Sequence, residues 1–147
     1  MELRQDMLQL NQAYTSKEEV IRAVGDLLVA GGAVDPSYID SMLERETIVT
    51  THMGNFVAIP HGTDEGKKHV QQTAIALITV PEGVDFAPDE DEEKLAMALF
   101  GIAGIGNEHL DLLAKIAVFC SDVDNVVRLA DARTKEEVIA MLGEAEV

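Results

Sequence analysis

Cysteine is almost missing from this chain, since Cys120 is the only one among 147 residues. A single thiol cannot form an internal disulfide, and Cys120 follows the apolar run Ile116 to Phe119. We therefore expect it to be a small buried residue and not a nucleophile. Long apolar runs are also missing, because none approaches the roughly 18 residues of a membrane-spanning helix. The opening Met-Glu-Leu-Arg-Gln-Asp lacks the features of a signal peptide, so we expect a cytoplasmic protein with no segment inserted in a membrane.

Basic residues are scarce: 11 Lys and Arg face 27 Asp and Glu, which gives a net charge of −16. Such a field repels nucleic acid and anionic membranes, so neither is an expected partner. The same field would speed encounter with a basic protein. An alternative remains open, because the acidic run Asp89 to Glu93 is also typical of a solvated loop that only keeps a protein soluble.

Several site motifs are absent as well. There is no Gly-x-x-x-x-Gly-Lys-Ser/Thr loop for a nucleotide and no Gly-x-Ser-x-Gly elbow of a serine hydrolase. The four histidines share no short metal-ligand spacing, and a second cysteine is missing. The sequence therefore predicts neither a cofactor nor a metal, and any phosphate handled here would have to come from another protein.

Strand and helix patterns alternate along the chain and predict an α/β fold. Capping boxes at Ser16 with Glu19 and at Thr134 with Glu137 begin two helices, and Asp35-Pro36 begins another. The other predicted segments are strands at Leu8 to Leu10, Phe56 to Ile59, Thr73 to Val80 and Leu95 to Ile105, and helices at Asn107 to Phe119 and after Asp122 or Asp124. We expect one domain over residues 1–147, with a mixed β-sheet flanked by helices on both faces.

Two of these segments carry finer expectations. The strand Thr73 to Val80 should stop at Pro81-Glu82-Gly83, which is a typical turn sequence. In the helix that begins at Asn107, helical spacing predicts one inward face. Its expected members are Leu110, Leu113, Ala114, Ala117 and Val118.

The most informative stretch is Asn-Phe-Val-Ala-Ile-Pro-His-Gly-Thr, residues 55–63. Its apolar run reads as a buried strand that stops at Pro60, which has no amide proton for a sheet ladder. His61 then follows at the carboxyl end of a strand, where open α/β sheets bind ligands. Its imidazole is largely neutral at pH 7 and can act as a nucleophile. The alternative is that Pro60-His61-Gly62 is an ordinary surface turn.

Two further residues fit a phosphoryl site. His109 lies in the first turn of a predicted helix, where unpaired amides favour an anion; taken alone, the residue is also typical of a packing histidine, and that alternative stays open. Arg45, near the end of the second helix, offers a planar fork suited to phosphate oxygens. His52 and His69 are expected to be ordinary surface residues.

These motifs, in this order, resemble a known family. Ser-Lys-Glu-Glu-Val-Ile-Arg, Gly-Gly-Ala-Val-Asp-Pro-Ser-Tyr, Met-Leu-Glu-Arg-Glu, Ala-Ile-Pro-His-Gly-Thr, Pro-Glu-Gly-Val-Asp-Phe and Gly-Asn-Glu-His-Leu resemble the mannitol-type enzyme IIA of the bacterial phosphoenolpyruvate:sugar phosphotransferase system. The resemblance covers nearly the whole chain. It implies a phosphotransferase system component that takes part in sugar transport, with a mixed sheet between helices.

The resemblance also implies roles for the three candidate residues. His61 would accept a phosphoryl group from the phosphocarrier HPr, at its Nε2 atom, and donate it to a cysteine of the IIB component. His109 would be the second histidine of the site, and Arg45 would steady the phosphoryl group. A regulatory domain of the same fold, signalling through phosphorylation of His61, is a second possibility. A binding module without catalysis is a third.

Overall fold

The computed structural model describes residues 3–144, so residues 1–2 and 145–147 of the predicted domain lie outside the described part. Five strands form one mixed sheet in the order β1-β4-β5-β3-β2. β1 is parallel to β4, β4 is antiparallel to β5, β5 is parallel to β3, and β3 is antiparallel to β2. The strands are β1 (Leu8–Gln9), β2 (His52–Gly54), β3 (Val57–Ala58), β4 (Ala74–Asp85) and β5 (Leu95–Ala103).

Two helices begin where the capping boxes predict. Ser16 accepts a hydrogen bond from the Glu19 amide, and Thr134 does so from the Glu137 amide. The helix predicted from Asp35-Pro36 begins one residue later than expected, at Ser37 with Pro36 as its N-cap, and the Asp35 carboxylate accepts from the Ser37 amide. The α-helices are α1 (Lys17–Ala30), α2 (Ser37–Ile48), α3 (Glu108–Cys120), α4 (Val123–Asp131) and α5 (Lys135–Glu144), and short 3₁₀ helices span Gln5–Met7 and Glu65–His69.

Alternate residues of the interior strand β4 point to two separate cores. Ala76, Ile78 and Val80 pack with α1 and α2 on one face of the sheet. Ile75 and Leu77 pack with α3, α4 and α5 on the other. The predicted α/β class, a mixed sheet with helices on both faces, is therefore confirmed. No helix among residues 3–144 is long and apolar enough to cross a membrane.

The predicted end of β4 at Pro81 is wrong, because the strand continues to Asp85. Pairing with β5 is interrupted between Thr79 and Val84 by a bulge that contains Pro81. On its other side, β4 pairs with β1 only at Leu77 and Ile78, so a proline beyond that point removes no ladder hydrogen bond.

The strand predicted at Phe56 to Ile59 is real but shorter, comprising Val57–Ala58. Gly54, Asn55 and Phe56 all have positive φ, with Phe56 at 66°, so the segment before β3 is a left-handed turn that joins it to β2. Such a conformation is rare for an aromatic residue, and sequence pattern alone favours a strand there.

The predicted inward face of α3 is largely wrong. Leu110 is 55% exposed and Val118 is 72% exposed, whereas Ile116, Phe119 and Cys120 are buried. The helix has apolar residues on most of its sides, so more than one face shows the helical spacing of a buried face. The spacing alone did not identify the face that is buried.

Candidate active site

His61 lies just beyond the carboxyl end of β3, beside β5. The register that pairs Val57 with Ala98 also pairs His61 with Ile102, in an isolated parallel bridge beyond Pro60. The carbonyl oxygen of Pro60 accepts from the amide of Ile102 at 3.0 Å. Pro60 has no N–H to donate to the sheet, but its carbonyl keeps the register with β5. His61 therefore lies at the carboxyl end of two parallel strands.

The imidazole of His61 is oriented by its own backbone. Nδ1 lies 2.8 Å from the carbonyl oxygen of Ile59, which can only accept, so Nδ1 carries the proton and donates. Nε2 is then left with its lone pair. Burial lowers the pKa of His61 below its usual 6.5, the Ile59 hydrogen bond opposes this shift, and the nearby Arg45 and His109 lower the pKa further. The site therefore favours a neutral, nucleophilic imidazole.

One face of α2 holds the loop that follows His61. The Tyr38 hydroxyl accepts from the Gly62 amide at 2.9 Å and donates to the Ile102 carbonyl at 2.7 Å. One turn further along, Ser41 Oγ accepts from the Thr63 amide at 2.8 Å. The loop lies so close to the helix that a Cβ on Gly62 would be 2.5 Å from the Tyr38 ring. Glycine at position 62 therefore allows the hydroxyl contacts to form.

Arg45 follows on the same helix and lines the same cleft as His61. Its Nη1 donates to the carbonyl oxygen of Val49 at 2.5 Å, which holds the guanidinium near the C-terminal end of α2. This is one of five N–H donors on the guanidinium. The side chain can therefore keep its position while other donors face the cleft.

His109 enters the site from the opposite side, as the second residue of α3. A Cβ on Gly104 would lie 2.4 Å from the His109 backbone nitrogen, so glycine at the end of β5 lets the helix start closely against the strand. His109 Nδ1 is buried and has no hydrogen-bond partner among the described residues. An unpaired buried N–H is costly, so the proton is better placed on Nε2.

These side chains surround an open cleft of about 320 Å³. Its charged lining consists of Arg45, Lys67 and Asp64, and Lys67 lies 3.6 Å from the Asp64 carboxylate. The cleft is locally richer in cations than the strongly acidic chain as a whole. Its complete lining is Tyr38, Arg45, Ile48, Val49, His61, Gly62, Thr63, Asp64, Lys67, Gly104 and His109.

The structure thus brings the three predicted site residues, His61, His109 and Arg45, into one cleft. The other two histidines are not the plain surface residues that were predicted. His52 is half-buried, with Nε2 2.8 Å from the Leu95 carbonyl, and His69 Nδ1 is 2.9 Å from the Asp35 carboxylate. Both histidines pair with residues that are distant in sequence, and spacing along the chain does not reveal such contacts.

Two other expectations concern reactive groups. Cys120 is buried, and burial raises the pKa of its thiol to about 12, so it is not a thiolate nucleophile. Among residues 3–144, no three His, Cys, Asp or Glu side chains are grouped as metal ligands would be.

Sequence reasoning missed Tyr38, Ser41 and Lys67. Tyr38 lies on the buried side of α2, and its hydroxyl was overlooked. A usable signal was present, because Tyr38, Ser41 and Arg45 have the i, i+3, i+7 spacing of a single helix face. Lys67 follows His61 by only six residues, in the short 3₁₀ helix Glu65–His69.

Comparison with known proteins gives consistent matches over nearly the full chain. The family model described as "Phosphoenolpyruvate-dependent sugar phosphotransferase system, EIIA 2" matches residues 1–145. A mannitol-specific phosphotransferase enzyme IIA component from Enterococcus faecalis is 55% identical over 131 residues, covering 89% of this chain and 90% of that protein.

Solved structures agree. The crystal structure of IIA mannitol from Escherichia coli has a TM-score of 0.89 and 36% identity, and the match covers 97% of this chain and 99% of that one. A complex of enzyme IIAMTL and phosphorylated enzyme IIBMTL from the same organism has a TM-score of 0.90 and 35% identity, over 97% and 98% of the two chains. The chain therefore belongs to the EIIA type 2 family of the phosphoenolpyruvate-dependent sugar phosphotransferase system.

Proposed function

We propose that this chain is a cytoplasmic phosphocarrier that accepts a phosphoryl group on Nε2 of His61 from phospho-HPr. It then passes the group to a cysteine of the IIB component, for the uptake of mannitol or a related sugar alcohol. The observation that supports this most directly is the hydrogen bond from His61 Nδ1 to the Ile59 carbonyl. It leaves the Nε2 lone pair available in a cleft that also contains Arg45 and His109.

Both half-reactions are displacements at phosphorus. In loading, the Nε2 lone pair of His61 attacks, and the P–N bond of the donor phosphohistidine breaks with its electron pair returning to the donor ring. The His61 ring then carries a formal positive charge, which the Ile59 carbonyl stabilises because it accepts from Nδ1–H. In donation, a thiolate of IIB attacks phosphorus, and the P–Nε2 bond breaks with its electrons returning to His61. A neutral ring is restored.

Arg45 and His109 stabilise the phosphoryl oxygens during both steps. The Arg45 guanidinium supplies charge-assisted hydrogen bonds, and His109 donates from Nε2 because its Nδ1 is buried. Neither residue needs to exchange a proton with the reacting atoms. Their contribution is therefore placement of charge, which is the usual basis of phosphoryl transfer in proteins.

The sugar and the partners are inferred from relatives. The Enterococcus faecalis relative is named as mannitol-specific, and one matching structure is a complex with phosphorylated enzyme IIB. We propose the same partner and sugar class for this chain, with residues 1–147 acting as one domain.

The test is reconstitution from purified components. The chain should acquire acid-labile phosphate when incubated with phosphoenolpyruvate, enzyme I and HPr, and should lose it when IIB of a mannitol permease is added. His61→Ala should stay folded, because the residue follows the strand and is outside both cores, yet take up no phosphate. Phosphate on the variant would show that His61 is the wrong acceptor. Loading without any transfer to IIB would favour a regulatory role instead.

A further inference from the structure

The face of α2 that carries Arg45 also carries two hydroxyl groups bonded to the His61 loop. Tyr38, Ser41 and Arg45 succeed one another at i, i+3 and i+7, so one rigid helix contacts the loop at two points and lines the cleft at the third. The relative placement of His61 and Arg45 therefore depends on how firmly the loop is fixed to α2.

The Tyr38 hydroxyl occupies a specific position in the sheet. In a parallel ladder, the register that pairs His61 with Ile102 would direct the Gly62 amide to the Ile102 carbonyl. Here the hydroxyl lies between them, accepting from Gly62 at 2.9 Å and donating to Ile102 at 2.7 Å. The oxygen of Tyr38 thus links the two segments immediately after His61 and pairs one backbone group of each.

Tyr38 itself is well suited to this role. Its side chain is 4% exposed, and burial raises the pKa of its hydroxyl above the usual 10, so it remains a neutral donor and acceptor. The ring also lies against Gly62, so its position limits where the loop can move.

Ser41 provides a second attachment. Its Oγ accepts from the Thr63 amide at 2.8 Å and lies 3.0 Å from Thr63 Oγ1. Thr63 Oγ1 in turn accepts from the Gly66 amide at 3.2 Å. Gly66 also lies close to α2, because a Cβ on Gly66 would be 2.0 Å from Ser41 Oγ.

We propose that Tyr38 and Ser41 are positioning residues, which fix the His61 imidazole relative to Arg45 through hydrogen bonds to the Gly62 and Thr63 amides. This inference rests on the proposed role of His61. Tyr38 and Ser41 are both buried and present little surface to a docked phosphoryl donor, so their loss should lower the rate of transfer within the bound complex and leave recognition unchanged.

The chain offers a matched control, because it has only two tyrosines. The Tyr14 hydroxyl donates to the Gln9 side chain at 2.9 Å, and the residue is also partly buried. Tyr14 follows β1, whose carboxyl end lies at the opposite edge of the sheet from the carboxyl ends of β3 and β5. Tyr14→Phe therefore removes one tyrosine hydrogen bond away from the site.

The experiment compares wild type with Tyr38→Phe, Ser41→Ala and Tyr14→Phe. Rapid-quench kinetics with phospho-HPr give kcat and KM for loading, and ¹⁵N NMR reports the protonation of the His61 ring nitrogens in the unphosphorylated protein. Tyr38→Phe should lower kcat by about tenfold, below the ~10²-fold that a misplacement of about 1 Å can cost. KM should stay within about twofold, because recognition is retained. Ser41→Ala should act in the same direction, and Tyr14→Phe should match wild type.

The NMR measurement separates this inference from the assignment of His61. If Tyr38→Phe disturbs the His61 ring resonances and Tyr14→Phe does not, the positioning role stands, even if phosphate is later found on another residue. Unchanged resonances and unchanged kcat in both Tyr38→Phe and Ser41→Ala would overturn it. A loss of melting temperature in these two variants with normal kcat in the folded fraction would also overturn it, since Tyr38 and Ser41 would then be structural residues only.

Discussion

Replacement of His109 tests the assignment of the site most sharply, because its two ring nitrogens lie in different environments. Nδ1 is buried without a partner among the described residues, while the side chain lines the cleft beside His61. The nitrogen available to a phosphoryl oxygen is therefore Nε2. Glutamine can place its amide nitrogen near that position, whereas the shorter asparagine places its amide near Nδ1.

The expected magnitude comes from counting the contact that is lost. His109→Ala removes one donor that strengthens as charge develops on the phosphoryl oxygens. Deletion of one such donor typically costs ~10² to 10³ in rate, or about 3 to 4 kcal/mol. His109→Gln should recover part of this loss and His109→Asn very little. The attack itself is retained, because the Nε2 lone pair of His61 and the hydrogen bond from Nδ1 to the Ile59 carbonyl are untouched.

The assay measures the two half-reactions separately by rapid quench, from phospho-HPr to this chain and from this chain to IIB. We expect His109→Ala to slow donation more than loading, because the phosphoryl group then lacks the His109 contact while charge redistributes as it leaves His61. Melting temperatures of the three variants serve as the control for folding.

Two results would contradict this reasoning. If loading collapses while donation from chemically phosphorylated His61 is normal, His109 assists the attack instead. If asparagine rescues as well as glutamine, or better, then Nδ1 is the acting nitrogen, and the buried state of that atom must change when the partner docks.

Three other outcomes follow from the same site. Arg45→Ala should slow transfer and Arg45→Lys should restore it only in part, because a point charge cannot replace a bidentate fork; wild-type rates in both would remove Arg45 from the site. By NMR titration, the pKa of His61 should lie below 6.5, so the imidazole is neutral above pH 6.5, and Arg45→Ala should raise this pKa because it removes a neighbouring cation. A pKa above 6.5 in the wild type would reject burial as the dominant cause of the shift. If the net charge of −16 attracts a basic HPr surface, loading at low protein concentration should slow as added salt shortens the screening length from ~30 Å at 0.01 M to ~10 Å at 0.1 M. A loading rate that does not change with salt would leave the charge a role in solubility alone.

Local chemistry explains why much of the site could be predicted. The placement of His61 depends on an apolar run, a proline without an amide proton and a glycine, all within nine residues. The start of α1 depends on Ser16 and Glu19, three residues apart. Features of this kind are decided by neighbours in sequence, so they can be predicted without knowing the tertiary structure.

Features decided by distant contacts were missed. The Tyr38 hydroxyl finds Gly62, 24 residues away, and Ile102, 64 residues away. The buried face of α3 is decided by the sheet that it covers. β4 continues past Pro81 because Val84 and Asp85 pair with β5, while β1 is too short to need an amide at Pro81. Neither the buried face of α3 nor the length of β4 leaves a distinguishing periodic signal in its own segment, so the local pattern predicts an incorrect outcome there. The spacing of Tyr38, Ser41 and Arg45 marks a shared helix face but not the loop that this face contacts.

The geometry of Arg45 bears on how a carrier can both accept and release the same group. An arginine that bound the phosphoryl group tightly in the ground state would favour loading but slow donation, since only contacts that strengthen in the transition state lower a barrier. In the unphosphorylated protein, Arg45 already donates to the Val49 carbonyl. The phosphoryl group therefore meets only the guanidinium donors that this bond leaves available, which limits the number of ground-state contacts. The bond to Val49 thus favours reversible transfer over storage of the phosphate.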